Sequence, residues 1–454
     1  GGNSVTVSLP IEDNYTELRR QLWLATDAAY KAAVEQLARK KAALQNRNRT
    51  DDTPDFTSEP PTLTADETPR RAPDSADVAQ VARELSGIFR EFPVIASSSI
   101  SLNLDDTLVR YVNSEGTAYT RRDSSAVFVA RASAPAADGR MLEDHILHIA
   151  RTPDRLPAKA QLLAEVRTLG KNLTALRAAP LIDTYNGPVL FEGAAAAEVF
   201  SQVFAPQLTA AKLPVVEGRG GGGTSNPLMD RIGARVLPDF LDITDDPTRA
   251  DFNGTPLVAT AKVDDEGVPT RAVKLIEAGR LKALLTSRVP ARGFLKSTGS
   301  RHGSGASPTN LIVSTREGLA PDALKAELLK VAAQRNKDYT IIIRQVASPL
   351  FSTGGGGGGG RGGRGGRGGG GGQGADAGTI EPAILAYKVF PDGREELLRH
   401  VEISGITLGA FKDILAAGTD AKVQNLPLRS NRPGRGGSSE IVSLVVPSLL
   451  FDEV

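Results

Sequence analysis

The sequence predicts an α+β fold in two parts: an N-terminal α/β domain with long helices and an antiparallel sheet, then a β-rich domain. Three observations predict it. Stretches with apolar residues on one helical face stand around residues 13–48, 76–91 and 156–178. Between the second and third, residues 94–134 alternate in strand fashion around the turn "NSEG" at 113–116. Beyond the Gly-rich run at 218–223, short apolar segments are separated by Asp and Gly turns.

The elements follow in order. Residues 5–9 (VTVSL) read as a short strand, and Asp13 and Asn14 offer caps to a helix reaching about residue 48. Its residues Leu18, Leu22, Ala25, Ala29, Ala33 and Leu37 share a face. Domain 1–50 is this strand and helix; 51–75 is a Pro-rich linker. Domain 76–218 is α/β and includes the stretch "GPVLFEGAAAAEVFSQVF" (187–204), a strand running into an Ala-rich helix. Domain 219–454 is β-rich, with hairpin turns at "VDDEG", "EAGR" and "FPDGR" and short helices near 321–335 and 408–417. It carries a Gly-rich insertion at 353–374 with three Arg; a flexible loop is the first reading, an RGG-type nucleic-acid contact the second.

Charge and composition exclude several classes. Lys plus Arg (54) nearly equal Asp plus Glu (53), so no global field draws the chain to nucleic acid. No apolar run approaches the ~20 residues of a spanning helix. The absence of Cys removes disulfides, thiolate zinc ligation and cysteine nucleophiles. The start "GGNSVTVSLP" fits a removed signal peptide or a shortened chain, which leaves cytoplasmic and periplasmic or exported locations open.

Four histidines are candidates for chemistry. His145 and His148 in "EDHILHIA" share one side if helical and oppose each other if extended; only the former suits a metal. His302 lies in the small-residue segment "KSTGSRHGSGASPTN", where backbone can approach a ligand closely; a plain connection is the alternative. Arg301, His302 and Asn310 are the candidate substrate contacts there. His400, beside Arg399 in an expected strand, reads as a solvated surface residue. Glu192 and Glu198 on the Ala-rich stretch are candidate catalytic carboxylates, and the bland reading of Glu192 is a helix cap.

In their order, "RYVNSEGTAYTRR" (110–122), "VDDEGVPTRAVKLIEAGRLKALLTSR" (263–288), "TGSRHGSGASPTNLIVSTREG" (298–318) and "HVEISGITLGAFKDILAAG" (400–418) resemble the TldD/PmbA (TldD/TldE) family of metallopeptidases. The resemblance spans most of residues 95–454. It implies a β-rich C-terminal domain of the TldD/PmbA type, a cavity shared between subunits, and unstructured or modified peptides bound as an added strand. In catalytic members the strand-to-helix junction carries His-Glu-x-x-x-His, with a cysteine further along. Here Glu192 matches the glutamate, while Phe191 and Ala196 stand at the two ligand positions. Zinc needs about three donors with lone pairs, so the resemblance implies no metal and no cofactor at this site.

The expected function is therefore a catalytically inactive, zinc-free, TldE-like homologue that serves as an accessory or assembly subunit. Its partner would be itself or a catalytic TldD-type homologue, with extended peptides as ligands. The alternatives are a peptide hydrolase with a relocated site built from Glu192, Glu198 and His302, and a structural or interaction protein.

Overall fold

The computed structural model describes residues 7–45, 53–65, 75–212, 226–303, 305–351, 380–428 and 440–454. The Gly-rich insertion at 353–374 and the run at 218–223 lie outside the described residues. So do residues 5 and 6 of the expected first strand, and residues 7–9 are not in a strand.

Helix α1 (Tyr15–Gln45) opens where Asn14 caps it, its Oδ1 accepting from the Glu17 amide at 3.1 Å. Strand β1 (Leu63–Ala65) corrects the expectation of a plain linker over 51–75. It pairs in parallel with the start of β3, and the segment before it is bound: Thr57 donates its amide to Arg288 O and accepts the Arg288 guanidinium. Arg288 is only 2% exposed, and a buried guanidinium requires such acceptors.

Helix α2 (Ser75–Gly87) precedes the meander expected over 94–134, which holds β2 (Ser97–Val112) and β3 (Ala118–Pro135); β4 (Met141–Ala150) extends it, each pairing with its neighbour antiparallel. Its first turn is the one foreseen at 113–116. Helix α3 (Lys159–Leu176) packs Leu162, Val166, Leu169, Leu173 and Leu176 against the sheet residues Phe128, Ala130, Ala132 and Ala134. The helical period of one meets the two-residue period of the other.

The chain continues through β5 (Val189–Phe191), α4 (Ala194–Val203), β6 (Leu241–Asp245) and the small hairpin β7 (Asp251–Phe252) and β8 (Thr255–Pro256). Then come β9 (Val273–Glu277), β10 (Arg280–Leu281), the hairpin β11 (Arg301–His302) and β12 (Gly305–Ala306), β13 (Asn310–Thr315) and β14 (Gly318–Leu319). Helix α5 (Pro321–Gln334) leads to β15 (Thr340–Val346), β16 (Ala383–Val389), β17 (Glu395–Leu398) and α6 (Leu408–Lys412). The last strands are β18 (Ile414–Gly418), β19 (Lys422–Leu428), β20 (Glu440–Val446) and β21 (Leu449–Phe451). The helix expected over 408–417 thus stops at 412. Beyond it Ile414, Ala416 and Ala417 pair with β21, and that pairing decides the backbone.

Two sheets dominate this part, a seven-stranded one in the order β14-β18-β21-β5-β15-β16-β17 and a six-stranded one in the order β10-β9-β6-β13-β20-β19. The largest core draws on both sheets and on α4. The division drawn at 218/219 falls after β5 and α4. Strand β5 lies between β15 and β21, so the 187–204 stretch belongs with the strands that follow it. Composition changes at 218, but hydrogen bonding sets the unit.

Candidate functional site

Strand β5 is central in its sheet, parallel to β15 and antiparallel to β21, and all three of its residues are buried. That accounts for an uninterrupted apolar run where half-buried strands alternate. Val189 and Phe191 enter the main core, whereas Leu190 joins a second cluster with Leu324 and Leu328 of α5. The Glu192 amide makes the last ladder bond, to Ile343 O at 2.9 Å. Gly193 then turns the chain into α4 at φ +49° and ψ −114°, a conformation closed to most side chains, while its amide donates to Ser448 Oγ at 3.0 Å.

This turn sorts the motif onto two sides. Phe191 and Ala196 are both fully buried in the main core, and Phe191 meets Phe451 edge-on with centroids 5.4 Å apart. Glu192 instead follows Leu190 to the α5 side. There it lines a cavity of about 290 Å³ with Leu190, Arg344, Asp420, Lys422 and Ser448.

Glu192 is bound by a cation of the chain itself. Arg344 Nε donates to Glu192 Oε2 at 2.8 Å, and its terminal nitrogens donate to the two Glu395 oxygens at 2.8 and 3.0 Å. Lys325 of α5 adds a bond to Glu395 at 2.7 Å, and the guanidinium lies 4.6 Å from the Tyr387 ring centroid. Burial disfavours both charges, but mutual hydrogen bonding prevails: the Glu395 carboxyl is held below its ordinary range and Arg344 above its own. The sheet aims Arg344 by a bulge. Ile343 pairs with Ala386 and Gln345 with Leu385, leaving Arg344 as the extra residue between them. Gln345 then reaches the other way, to Asp144 at 2.9 Å.

Arg344 and Glu395 went unnoticed in the sequence. The available signal was one cation inside the apolar strand "TIIIRQV", since a charge so placed needs an acidic partner nearby.

The other candidates occupy separate surroundings. Glu198, on α4, is pushed up to about 7 by burial and by Glu381, against hydrogen bonds from Gln202, Ser201 and Ser348. His302 has a buried Nε2 with no partner among the described residues, and burial lowers its pKa among Asp265, Arg121 and Asp123. Glu192, Glu198 and His302 share no hydrogen-bond partner among the described residues. Arg301 is engaged by Asp264, Gly303 and Glu266. Asn310 is fully buried and donates to Asp246 O, Arg249 O and Thr260 Oγ1, an internal tie across a loop.

His145 and His148 stand on a strand, hence on opposite faces, which corrects the helical alternative. His148 Nε2 is 2.6 Å from Glu165 Oε2, and the His145 ring lies 4.6 Å from that of Phe351. Burial, then Arg131, pushes His145 down to about 4. His400 is corrected too: its Nε2 is buried without a partner among the described residues, on a backbone at φ +53°.

The zinc expected of related catalytic proteins does not fit. Phe191 and Ala196 carry no lone pairs, Glu192 is satisfied by Arg344, and among the described residues no three His, Asp or Glu side chains gather as a metal site.

Comparison with known proteins gives a consistent family signal. Residues 184–334 match the model described as the PmbA/TldA metallopeptidase C-terminal domain. No curated protein matches the chain. Among solved structures, a protein from Thermotoga maritima described as a candidate modulator of a DNA gyrase is 17% identical over 90% of this chain and 81% of its own, with a TM-score of 0.58. TldE from Thermococcus kodakarensis is 15% identical over 98% and 85%, with a TM-score of 0.57. A second candidate gyrase modulator, from Bacteroides thetaiotaomicron, is 12% identical over 84% and 71%, with a TM-score of 0.55. At these identities the structures establish the shared fold.

Proposed function

From its membership in the TldD/PmbA family, we propose that this chain is a zinc-free homologue of the family's peptidases and acts as an accessory or assembly subunit. The observation that carries this reading is the state of the motif. Phe191 and Ala196, at the ligand positions, are closed into the core, and the matching Glu192 accepts a hydrogen bond from Arg344.

The chemistry follows from those contacts. A glutamate activates water in a zinc peptidase because the metal has already lowered the water's pKa. Without donors for the metal, Glu192 would have to act as a base alone, and its carboxylate is engaged by a guanidinium. The residues are better suited to holding the β5–α4 turn against β15 and β17 than to hydrolysis. The partner is a second copy or a catalytic TldD-type homologue, with an extended peptide as the ligand class.

Metal analysis of the purified chain, combined with peptide cleavage, tests this. The expected result is substoichiometric zinc and no cleavage by the chain alone. Stoichiometric zinc together with cleavage abolished by Glu192→Gln would overturn it.

A further inference from the structure

Helix α1 has no buried residue between positions 15 and 42, although it runs for 31 residues, about 46 Å at 1.5 Å per residue. Helices in water draw most of their stability from packing an apolar face, so such a helix lacks its partner surface. One face carries Tyr15, Leu22, Trp23, Tyr30, Val34 and Leu37, all exposed; Trp23, the chain's single tryptophan, is 64% exposed and Tyr30 is 68% exposed. Isolated surface apolar residues are ordinary, but a stripe with three aromatics has the make-up of an interface centre.

We propose that this stripe pairs with the α1 of a second copy of the chain, antiparallel, about a twofold axis near Ala28. The charge pattern selects this occupant. The helix is entered past Glu12 and Asp13 and carries Lys41 near its end, where Arg39 is already paired with Glu35 and Lys40 with Asp55. Antiparallel pairing sets the acidic entry of each copy beside the basic exit of the other and opposes the helix dipoles favourably. A parallel pair would place Arg19 on Arg19 and Lys41 on Lys41. In the antiparallel register Leu22 meets Val34 as an apolar pair, while Trp23 meets Ala33 and Tyr30 meets Thr26, a large side chain facing a small one in each. The acids within the helix do not compete, because Glu17, Asp27 and Glu35 are paired with Arg20, Lys31 and Arg39 of their own helix. Two helices of this length cover on the order of 1,200 Å² together, the lower end of a specific interface.

The proposal uses only the assembly part of the proposed function, with a second copy as partner. Zinc content and cleavage decide the other part separately.

The test is sedimentation equilibrium of the full chain together with the emission of Trp23. The expected result is a monomer–dimer equilibrium in which the Trp23 emission shifts to the blue as dimer forms. Leu22→Glu with Leu37→Glu should weaken dimerisation at least tenfold; both sites are exposed, so the fold is not at risk. Lys41→Glu should weaken it several-fold, the contact occurring twice by symmetry, and Glu12→Lys in the same chain should restore it. A chain that stays monomeric at about 100 μM overturns the proposal. So does a dimer indifferent to Leu22→Glu/Leu37→Glu, or a Lys41→Glu defect that Glu12→Lys does not repair.

Discussion

Arg344 holds Glu192 with one nitrogen and Glu395 with two, at 2.8 Å from Nε and at 2.8 and 3.0 Å from the terminal nitrogens. From β15, one guanidinium therefore joins the β5–α4 junction on one side to the outer strand β17, beyond β16, on the other. Glu192 is one end of a structural bridge here.

The bridge predicts unequal responses. Arg344→Ala leaves Glu192 without its guanidinium and Glu395 with Lys325 alone, and should cost about 1–3 kcal/mol. Glu192→Gln removes a single, partly exposed contact and should cost about 0.5–1 kcal/mol. A double-mutant cycle from urea unfolding should give a larger coupling for Arg344 with Glu395 than with Glu192; the reverse order would contradict the bidentate geometry.

Restoring the ligand residues should not restore the site. Phe191→His with Ala196→His buries two imidazoles in a core that Phe191 and Phe451 fill edge-on. Burying unpartnered imidazole nitrogens and overpacking at Ala196 predict destabilisation of about 2–5 kcal/mol. Without a further donor, zinc should leave the melting temperature of this variant unmoved, and a zinc-dependent rise would show that the pocket can close around a metal.

Gly193 supplies a separate check on the junction. An added Cβ meets nothing within 4 Å, so any cost of Gly193→Ala comes from the backbone at φ +49°. Strain of this type costs about 1–3 kcal/mol. Thermal unfolding should register it, and an unchanged stability would mean that the turn relaxes.

Much of this architecture was legible in the sequence because local chemistry and tertiary demand agree there. The "NSEG" turn and the α3 stripe are examples, and so are the hairpins at "EAGR" and "FPDGR", where Gly279 and Gly393 take positive φ. Legibility failed where a distant partner decides. Residues 414–417 look helical yet pair with β21, and Thr57 is fixed by Arg288 more than two hundred residues away. The partner of Glu192 could not be read from sequence. Arg344 reaches it through a bulge in β15, and a bulge leaves no periodic trace.

Glu198 supplies a pH-dependent prediction whose sign is fixed. Its carboxyl is pushed up to about 7, first by burial and also by Glu381, from an ordinary value of 4.5. Between those values the folded chain holds the proton and the unfolded chain does not, so this group lowers stability as pH rises from about 4.5 to 7. The penalty is complete above pH 7 and absent below 4.5; for a shift of this size it is on the order of 3 kcal/mol. Glu198→Gln keeps the shape and removes the titration. The difference in unfolding free energy between this variant and the parent should therefore grow in favour of the variant through that window and level off above it. Other groups titrate in both proteins and cancel from the difference. A difference that stays flat from pH 5 to pH 8 would mean that Glu198 ionises freely, with water reaching it beside Ser201 and Gln202.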